Sequence, residues 1–559
     1  MDFNKLADLI FPNITKTPED YELIFPKRSL PPQAKVTRLG PSPTGFIHLG
    51  NLYGAFADER LAHQSGGAFF LRIEDTDEKR QVEGAVETII NSLNFFGITF
   101  DEGAGLAEDT GDYGPYYQSR RGEIYACYAK QLVKAGRAYP CFLTEDEIND
   151  IRKQQEAAKE ETGIYGRWAA CRDLTYDEVA AKMKVGAPFV VRLRSGGGRG
   201  DAAKTITVAD GIRGSLSMPE NFFDIVLIKT SGLPTYHFAH VVDDHLMGTT
   251  HVVRGAEWIS SVPVHKELFD LLGFDMPVYC HTAQLMKLDA AGNKRKLSKR
   301  EDPELSLDYY RRRGYHPLAV REYMLTLLNS NFEEWRAANP DASVESFPFS
   351  MEKMGTSGAL FDLDKLNDVS KDVLAGITAP ELYDFLLDWA RAFRPELAPA
   401  LSGSDGSSSE KRAYVIRILD LGRTGERPRK DFVCAEQMFS FISYFFDEHF
   451  DRKAADPMPA NVSASDVPKL LAAYIDAYDH SDSQEDWFGK VRSLAETMGY
   501  AAKPKDYKKN PDLYKGHVGD VSTVIRIALT GRAQSPDIWE IQQIMGEEAV
   551  RRRIAGAFA

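Results

Sequence analysis

The chain has 559 residues, 43% hydrophobic and 27% charged, with a formal net charge of −14, the profile of a soluble globular protein of roughly three to four domains. No apolar run approaches the ~18 residues of a membrane span, the N-terminus lacks a secretory pattern, and five scattered cysteines (127, 141, 171, 280 and 434) fit a reducing cytoplasm and not a disulfide framework. The acidic balance favours a small-molecule enzyme at whole-chain level and leaves nucleic acid only through a local basic patch.

Residues 1–35 read as an extension packed on the body, with helical LADLIF ended by Pro31 and Pro32. The next stretch, VTRLGPSPTGFIHLGN, predicts a strand over 36–39, a stiff loop with Pro41 and Pro43 around Ser42, and a helix opening near His48. Gly45 and Gly50 allow close approach of backbone, and a helix N-terminus suits phosphate. The blander reading is a tight turn with a satisfied histidine.

Residues 52–64 predict a helix stopped by Gly66 and Gly67. AFFLRIEDTD predicts a buried strand running into an acidic loop, and 81–96 a helix. Strand and helix alternate as in a parallel sheet with crossover helices, whose ligands sit at the carboxyl ends of the strands. Both loops would lie there.

Around Tyr139 the character changes. Residues 138–222, with a charged helix at 145–161 and the flexible SGGGRGD turn, read as an inserted α/β module. DIVLIK at 224–229, a strand at 251–254 and a helix at 260–272 resume the sheet pattern. Beyond about 285 the pattern is helical. SGSDGSSSE at 402–410 is a solvated loop by composition.

The window 284–300, QLMKLDAAGNKRKLSKR, carries six Lys/Arg and one acid, a net +5 in 17 residues. Lysines on a loop made mobile by Gly292 can reach a triphosphate and neutralise charge that develops at phosphorus.

PSPTGFIHLGN and KLSKR together resemble the two nucleotide-binding motifs of class I aminoacyl-tRNA synthetases, in the form found in bacterial-type glutamyl-tRNA synthetases. FLRIEDTD, YGPYYQSRR, PTYHFAHVVDDHLMGTTHVVRGAEW and GALFDLDKL carry the likeness over about 36–375, and VIRIALTGRAQSPDIWEI extends it loosely. The resemblance implies a Rossmann-type catalytic domain (36–137 and 223–284) split by an acceptor-end module (138–222). A domain with the KLSKR loop and stem contacts (285–375) and a largely α-helical anticodon-binding region (376–559) would follow.

It implies ATP-dependent activation of glutamate to an adenylate, with transfer to the terminal adenosine of tRNA-Glu. Implied roles for ATP fall on Gly45, His48, Gly50, Lys296, Ser298 and Lys299, with His48, Lys296 and Lys299 closest to the chemistry. Glutamate would meet Arg38, Ser42, Glu74, Tyr236 and Arg254, with a guanidinium on the side-chain carboxylate and Glu74 on the ammonium group. Asn51 stands where many relatives carry a second histidine, which leaves its role open. Arg423, Lys508, Arg526 and Arg532 are the candidates for tRNA contact. Magnesium would arrive with the phosphates. No zinc is expected, because Cys141 and Cys171 are two thiols where a structural site needs four ligands. A cytoplasmic monomer is expected. A form that also charges tRNA-Gln and, from another class, a small-molecule nucleotidyltransferase are the alternatives; the latter has no use for ~250 further helical residues.

Overall fold

Strand β1 (Val36–Leu39) is buried at all four positions, as is β2 (Ala68–Leu71). Burial on both faces replaces the alternation of a half-exposed strand, and this is the signature of a parallel sheet covered by helices. β1 and β2 pair in parallel, Val36 with Ala68 through Leu39 with Leu71, and β3 (Glu102–Gly103) adds to β2. Helix α3 (Leu49–Gln64) makes the crossover between β1 and β2.

The computed structural model describes residues 2–44, 47–404, 406, 408–423 and 428–557. They divide into two compact units, one of residues 1–309 and 320–363, the other of 310–319 and 364–559.

In the first unit, α1 (Phe3–Ile10) and α2 (Pro18–Ile24) pack on α5 (Gly122–Lys134), which follows α4 (Ala85–Phe95). Arg28 ties this extension to the sheet through a bidentate pair with Glu102 at 2.7 and 2.9 Å. Strands β4 (Ala138–Cys141) and β5 (Val190–Leu193) pair antiparallel, with α6 (Glu145–Ala157) and α7 (Tyr176–Lys184) between them in the chain. β6 (Thr205–Asp210) and β7 (Gly214–Pro219) form a hairpin. β8 (Val226–Ile228) extends the β5 edge. After α8 (Tyr236–Leu246) come β9 (His251–Gly255), α9 (Val262–Leu272) and β10 (Val278–Thr282), with β9 parallel to β10.

The four-stranded sheet runs β7-β6-β10-β9, and the Thr250 N–H donates to Val36 O at 3.0 Å, which brings β9 beside β1. Pairing therefore crosses the expected border at 222. The β6–β7 hairpin joins the β9–β10 sheet, while β8, beyond residue 222, joins β4 and β5. β11 (Leu285–Leu288) and β12 (Lys294–Lys296) make a second hairpin, with β13 (Ala359–Leu360) on its other side.

The described residues of the second unit form helices and no named strand. One core gathers Leu382, Leu386, Trp389, Ile418 and Phe446, and the other Leu471, Val491, Val521 and Ile525.

Gly67 sits where the chain turns into β2, and a Cβ there would lie 1.9 Å from Lys35 O. Backbone on both sides cannot give way as a flexible side chain would. Gly67→Ala is expected to destabilise the first unit by about 1–3 kcal/mol, read as a lower urea midpoint with unchanged slope.

Candidate active site

A cavity of about 820 Å³ opens at the carboxyl ends of β1, β9 and β10. Arg38, Ser42, Glu74, Tyr236 and Arg254 line one part of it, and His48, Gly50, Lys296 and Lys299 another. Nine of the proposed residues are thus brought together from five separate stretches of chain. Ser298 does not line the cavity; its Oγ accepts from Glu301 N at 3.3 Å and shapes the turn. Gly45 lies outside the described residues.

Backbone bonds fix the loop after β1. Arg72 N donates to Leu39 O at 2.9 Å, Glu74 N to Pro41 O at 3.0 Å and Val82 N to Pro43 O at 3.0 Å. A Cβ on Gly40 would stand 2.4 Å from Glu74 Oε1, so the bare glycine makes room for that carboxylate. At the start of α3, Asn51 Oδ1 accepts from His48 N at 3.1 Å. Asn51 therefore has a capping role that sequence reasoning left open. Burial first, and then the nearby Lys299 charge, lower the pKa of His48 and keep its ring neutral.

Beneath the cavity lies a network of buried charges. Arg72 is fully buried; it donates to Asp244 Oδ1 at 2.7 Å and to Glu74 Oε1 at 3.1 Å. Arg38 Nε lies 3.5 Å from the same Asp244 oxygen. Asp243 accepts from Arg121 at 2.7 Å, Gln118 at 2.9 Å and Tyr125 at 2.7 Å. Burial raises the pKa of Glu74, with Arg72 and Arg38 opposing it. For Arg38 burial is the largest influence and works against the charge, but Asp244, Asp58 and Glu74 together outweigh it and the shift is upward. The consecutive aspartates of α8 are thus the counterions that hold Arg72 and Arg38.

Arg254 lies over the Tyr279 ring, 4.4 Å from its centre, and donates to Tyr236 OH at 3.3 Å and Trp258 O at 3.2 Å. His240 is fully buried and bonded to Tyr279 OH at 2.8 Å. Burial lowers the pKa of His237, His240 and His265, so these rings stay neutral.

The basic window is a clamped hairpin. Asp289 accepts from Ala291 N at 2.9 Å and Asn293 N at 2.8 Å, and Gly292 takes φ +84° in the turn. Asp302 receives Arg295 in a fork at 2.6 and 2.7 Å and the Ser298 N–H at 2.8 Å. The hydrogen bonds from Arg295 lower the Asp302 pKa to about 2. Lys296 and Lys299 remain exposed. Arg72, Asp302 and Lys229, whose Nζ reaches Thr76 O at 2.7 Å on the cavity wall, were not among the candidates. A charged residue inside the apolar run AFFLRI was the signal for Arg72.

The candidate RNA residues belong to the second unit and differ in exposure. Lys508 is exposed on Pro504–Lys509. Arg423 is half-buried, with Nη2 on Leu374 O at 2.7 Å and Ile377 O at 2.6 Å. Arg526 donates to Ala533 O at 3.3 Å, and Arg532 to Ser440 O. Arg532 also lines a second cavity, of about 610 Å³, with Tyr444, Phe450 and Thr530.

Cys141 and Cys171 are both buried, and Phe142 N donates to Cys171 Sγ at 3.4 Å. The hydrogen bond between the two thiols lowers the pKa of Cys141 and raises that of Cys171. Among the described residues no group of three or more His, Cys, Asp or Glu is arranged to hold a metal, and no helix is long and apolar enough to cross a membrane.

Comparison with known proteins places this geometry in context. Residues 35–368 match the family described as tRNA synthetases class I (E and Q), catalytic domain, and residues 513–558 an anticodon binding domain. The chain is 62% identical over 555 residues to a glutamate–tRNA ligase of Acetivibrio thermocellus, with 99% of each covered. It is 46% identical over 557 residues to that of Clostridium perfringens strain 13, covering 99% of this chain and 100% of the relative. A crystal structure of a glutamate tRNA ligase from Elizabethkingia meningosepticum in complex with its amino acid aligns with TM-score 0.71 at 28% identity, over 94% of this chain and 99% of that one.

Because Asp302 takes both the Arg295 fork and the Ser298 N–H, Asp302→Ala is expected to loosen the hairpin. Tryptic cleavage at 294–300 should accelerate about 10-fold or more while cleavage elsewhere is unchanged, as mass spectrometry of the fragments would show.

Proposed function

The chain belongs to the class I tRNA synthetases for glutamate and glutamine, and from that premise we propose that it is a glutamate–tRNA ligase whose cavity at the ends of β1 and β9 holds both small substrates. The observation that carries the assignment of roles is one pocket with two chemistries. Buried guanidinium groups and a carboxylate line one part, and exposed lysines beside a neutral histidine line the other.

Arg38 and Arg254 take the side-chain carboxylate of glutamate, with Tyr236 and Ser42 beside them. Glu74 takes the ammonium group, whose charge offsets the burial that raises its pKa. His48 donates from its neutral ring to the phosphates of ATP, and Gly50 leaves space for the adenosine. A Cβ on Gly50 would sit 3.0 Å from the His48 ring.

The first step is in-line attack of the α-carboxylate on the α-phosphorus, with pyrophosphate leaving. No side chain needs to form a bond. The work is positioning, and neutralisation of charge on the departing phosphates by Lys296 and Lys299. Magnesium would enter on the phosphate oxygens. The second step passes the glutamyl group to the terminal ribose of tRNA-Glu.

The module around β4, β5 and β8 meets the acceptor end in this reading, and the helical second unit meets the anticodon. The match of residues 513–558 to an anticodon binding domain supports the latter. Of the four RNA candidates, exposed Lys508 is the best placed for phosphate.

Purified protein is expected to charge tRNA-Glu with glutamate and ATP, and ATP–pyrophosphate exchange should require added tRNA. Charging of glutamine without glutamate would sink the reading. Lys299→Ala should slow activation about 100- to 1,000-fold with little loss of tRNA affinity, measured by exchange and by filter binding; near-normal exchange would remove Lys299 from its role.

A further inference from the structure

Arg254 is steered from behind. Its Nε–H points to His281 Nε2 at 3.0 Å, and His281 Nδ1 lies 2.5 Å from Asp210 Oδ2. All three side chains are buried: Arg254 is 9% exposed, His281 0% and Asp210 5%. Neither Asp210 nor His281 lines the cavity.

The chemistry of the chain of contacts has one consistent arrangement. An aspartate accepts, so His281 must donate from Nδ1. That tautomer leaves a lone pair on Nε2, which the Nε–H of Arg254 needs. Burial lowers the pKa of His281, and a neutral ring is the form that can accept.

The other contacts of Arg254 complete its immobilisation. Nη1 meets Tyr236 OH at 3.3 Å and His265 Nδ1 at 3.4 Å, and Nη2 meets Trp258 O at 3.2 Å. A guanidinium has five N–H groups. With four committed to the protein, one N–H on Nη2 is left for a ligand.

Asp210 is itself held from the β6–β7 hairpin. Its Oδ1 accepts from Ile212 N at 3.0 Å and Arg213 N at 2.8 Å. Gly211 N donates to Tyr279 O at 2.7 Å, and a Cβ on Gly211 would lie 2.9 Å from Cys280 Sγ and 3.0 Å from Met351 Sδ. Arg213 Nε closes the corner on His281 O at 3.0 Å. The hairpin is thereby pressed on β10, next to the strand that carries Arg254.

We propose that Asp210 and His281 are positioning residues for amino-acid selection: they fix the guanidinium plane of Arg254 so that its one remaining N–H meets one carboxylate oxygen while Arg38 serves the other, an arrangement a carboxamide, with a single acceptor oxygen, cannot match. A mobile arginine could swing its donors away from the –NH2 of glutamine. A fixed one, with Arg38 on the other side, confronts the –NH2 with a donor in either orientation of the amide and leaves it unpaired. The inference rests on the assignment of Arg254 to the glutamate side chain.

The test is steady-state charging of tRNA-Glu with glutamate and with glutamine by the full-length parent, Asp210→Asn, His281→Ala and His281→Gln. The asparagine can turn its –NH2 to His281 and invert the tautomer; the glutamine can still offer an oxygen to Arg254 Nε. Asp210→Asn and His281→Ala should raise the glutamate KM about 10- to 100-fold and lower the glutamate-over-glutamine ratio, with the ATP KM held within about threefold. His281→Gln should recover part of the glutamate KM.

A glutamate KM within about twofold of the parent in both disruptive variants overturns the proposal, as does a parallel rise of the ATP KM, which marks general damage. If Asp210→Asn does not fold, the comparison of His281→Ala with His281→Gln decides alone. A parent that fails to charge glutamate overturns the reading of the site itself. An active parent with indifferent variants overturns only the role of Asp210 and His281.

Discussion

Arg72, Arg121, Asp243 and Asp244 are almost wholly cut off from water, and none of them could stay charged there alone. Taking such ions out of water costs several kcal/mol each, and the cost is offset only when every partner is in place. That condition ties α8, β2 and the stretch before α5 to one another, because the loss of any one partner strands the others. Arg38 and Glu74, two of the charges that line the cavity, are borrowed from this network. Arg38 leans on Asp244, and Glu74 on Arg72. The ligand pocket is therefore the open end of a buried ionic lattice.

The two parts of the cavity solve charge recognition differently. Around Arg254 and Glu74 the groups are fixed and dry, which favours discrimination between near-identical small molecules. Around Lys296 and Lys299 the groups are exposed on a hairpin, which suits a ligand whose charge grows and then leaves. Asp302 reconciles exposure with order by anchoring the base of that hairpin.

Much of this was legible in the amino-acid order because strand, glycine-proline loop and helix follow each other within sixteen residues, and because six cations stand out in an acidic chain. Pairing partners were not legible. Nothing local to Asp302 says that it takes Arg295 in a fork, and nothing in VVDDHL says which aspartate faces which arginine. The β6–β7 hairpin joins β10 about 70 residues onward through one register pair, Tyr279 with Asp210, and no periodicity reports a contact of that range. For the second unit, counting positive residues misleads, since Arg423 and Arg532 spend donors on backbone carbonyls.

The anchored hairpin has a further consequence. A lysine on a free tail dilutes itself through the volume the tail can sweep, whereas one fixed a few residues from Asp302 keeps the same neighbourhood at all times. Lys296 and Lys299 are cations held at a constant local concentration, because most of the entropy of gathering them was spent when the chain folded. A polyanion reaching this pocket does not have to recruit its own neutralising charge from solution; it exchanges its loose atmosphere of cations for two that cannot diffuse away.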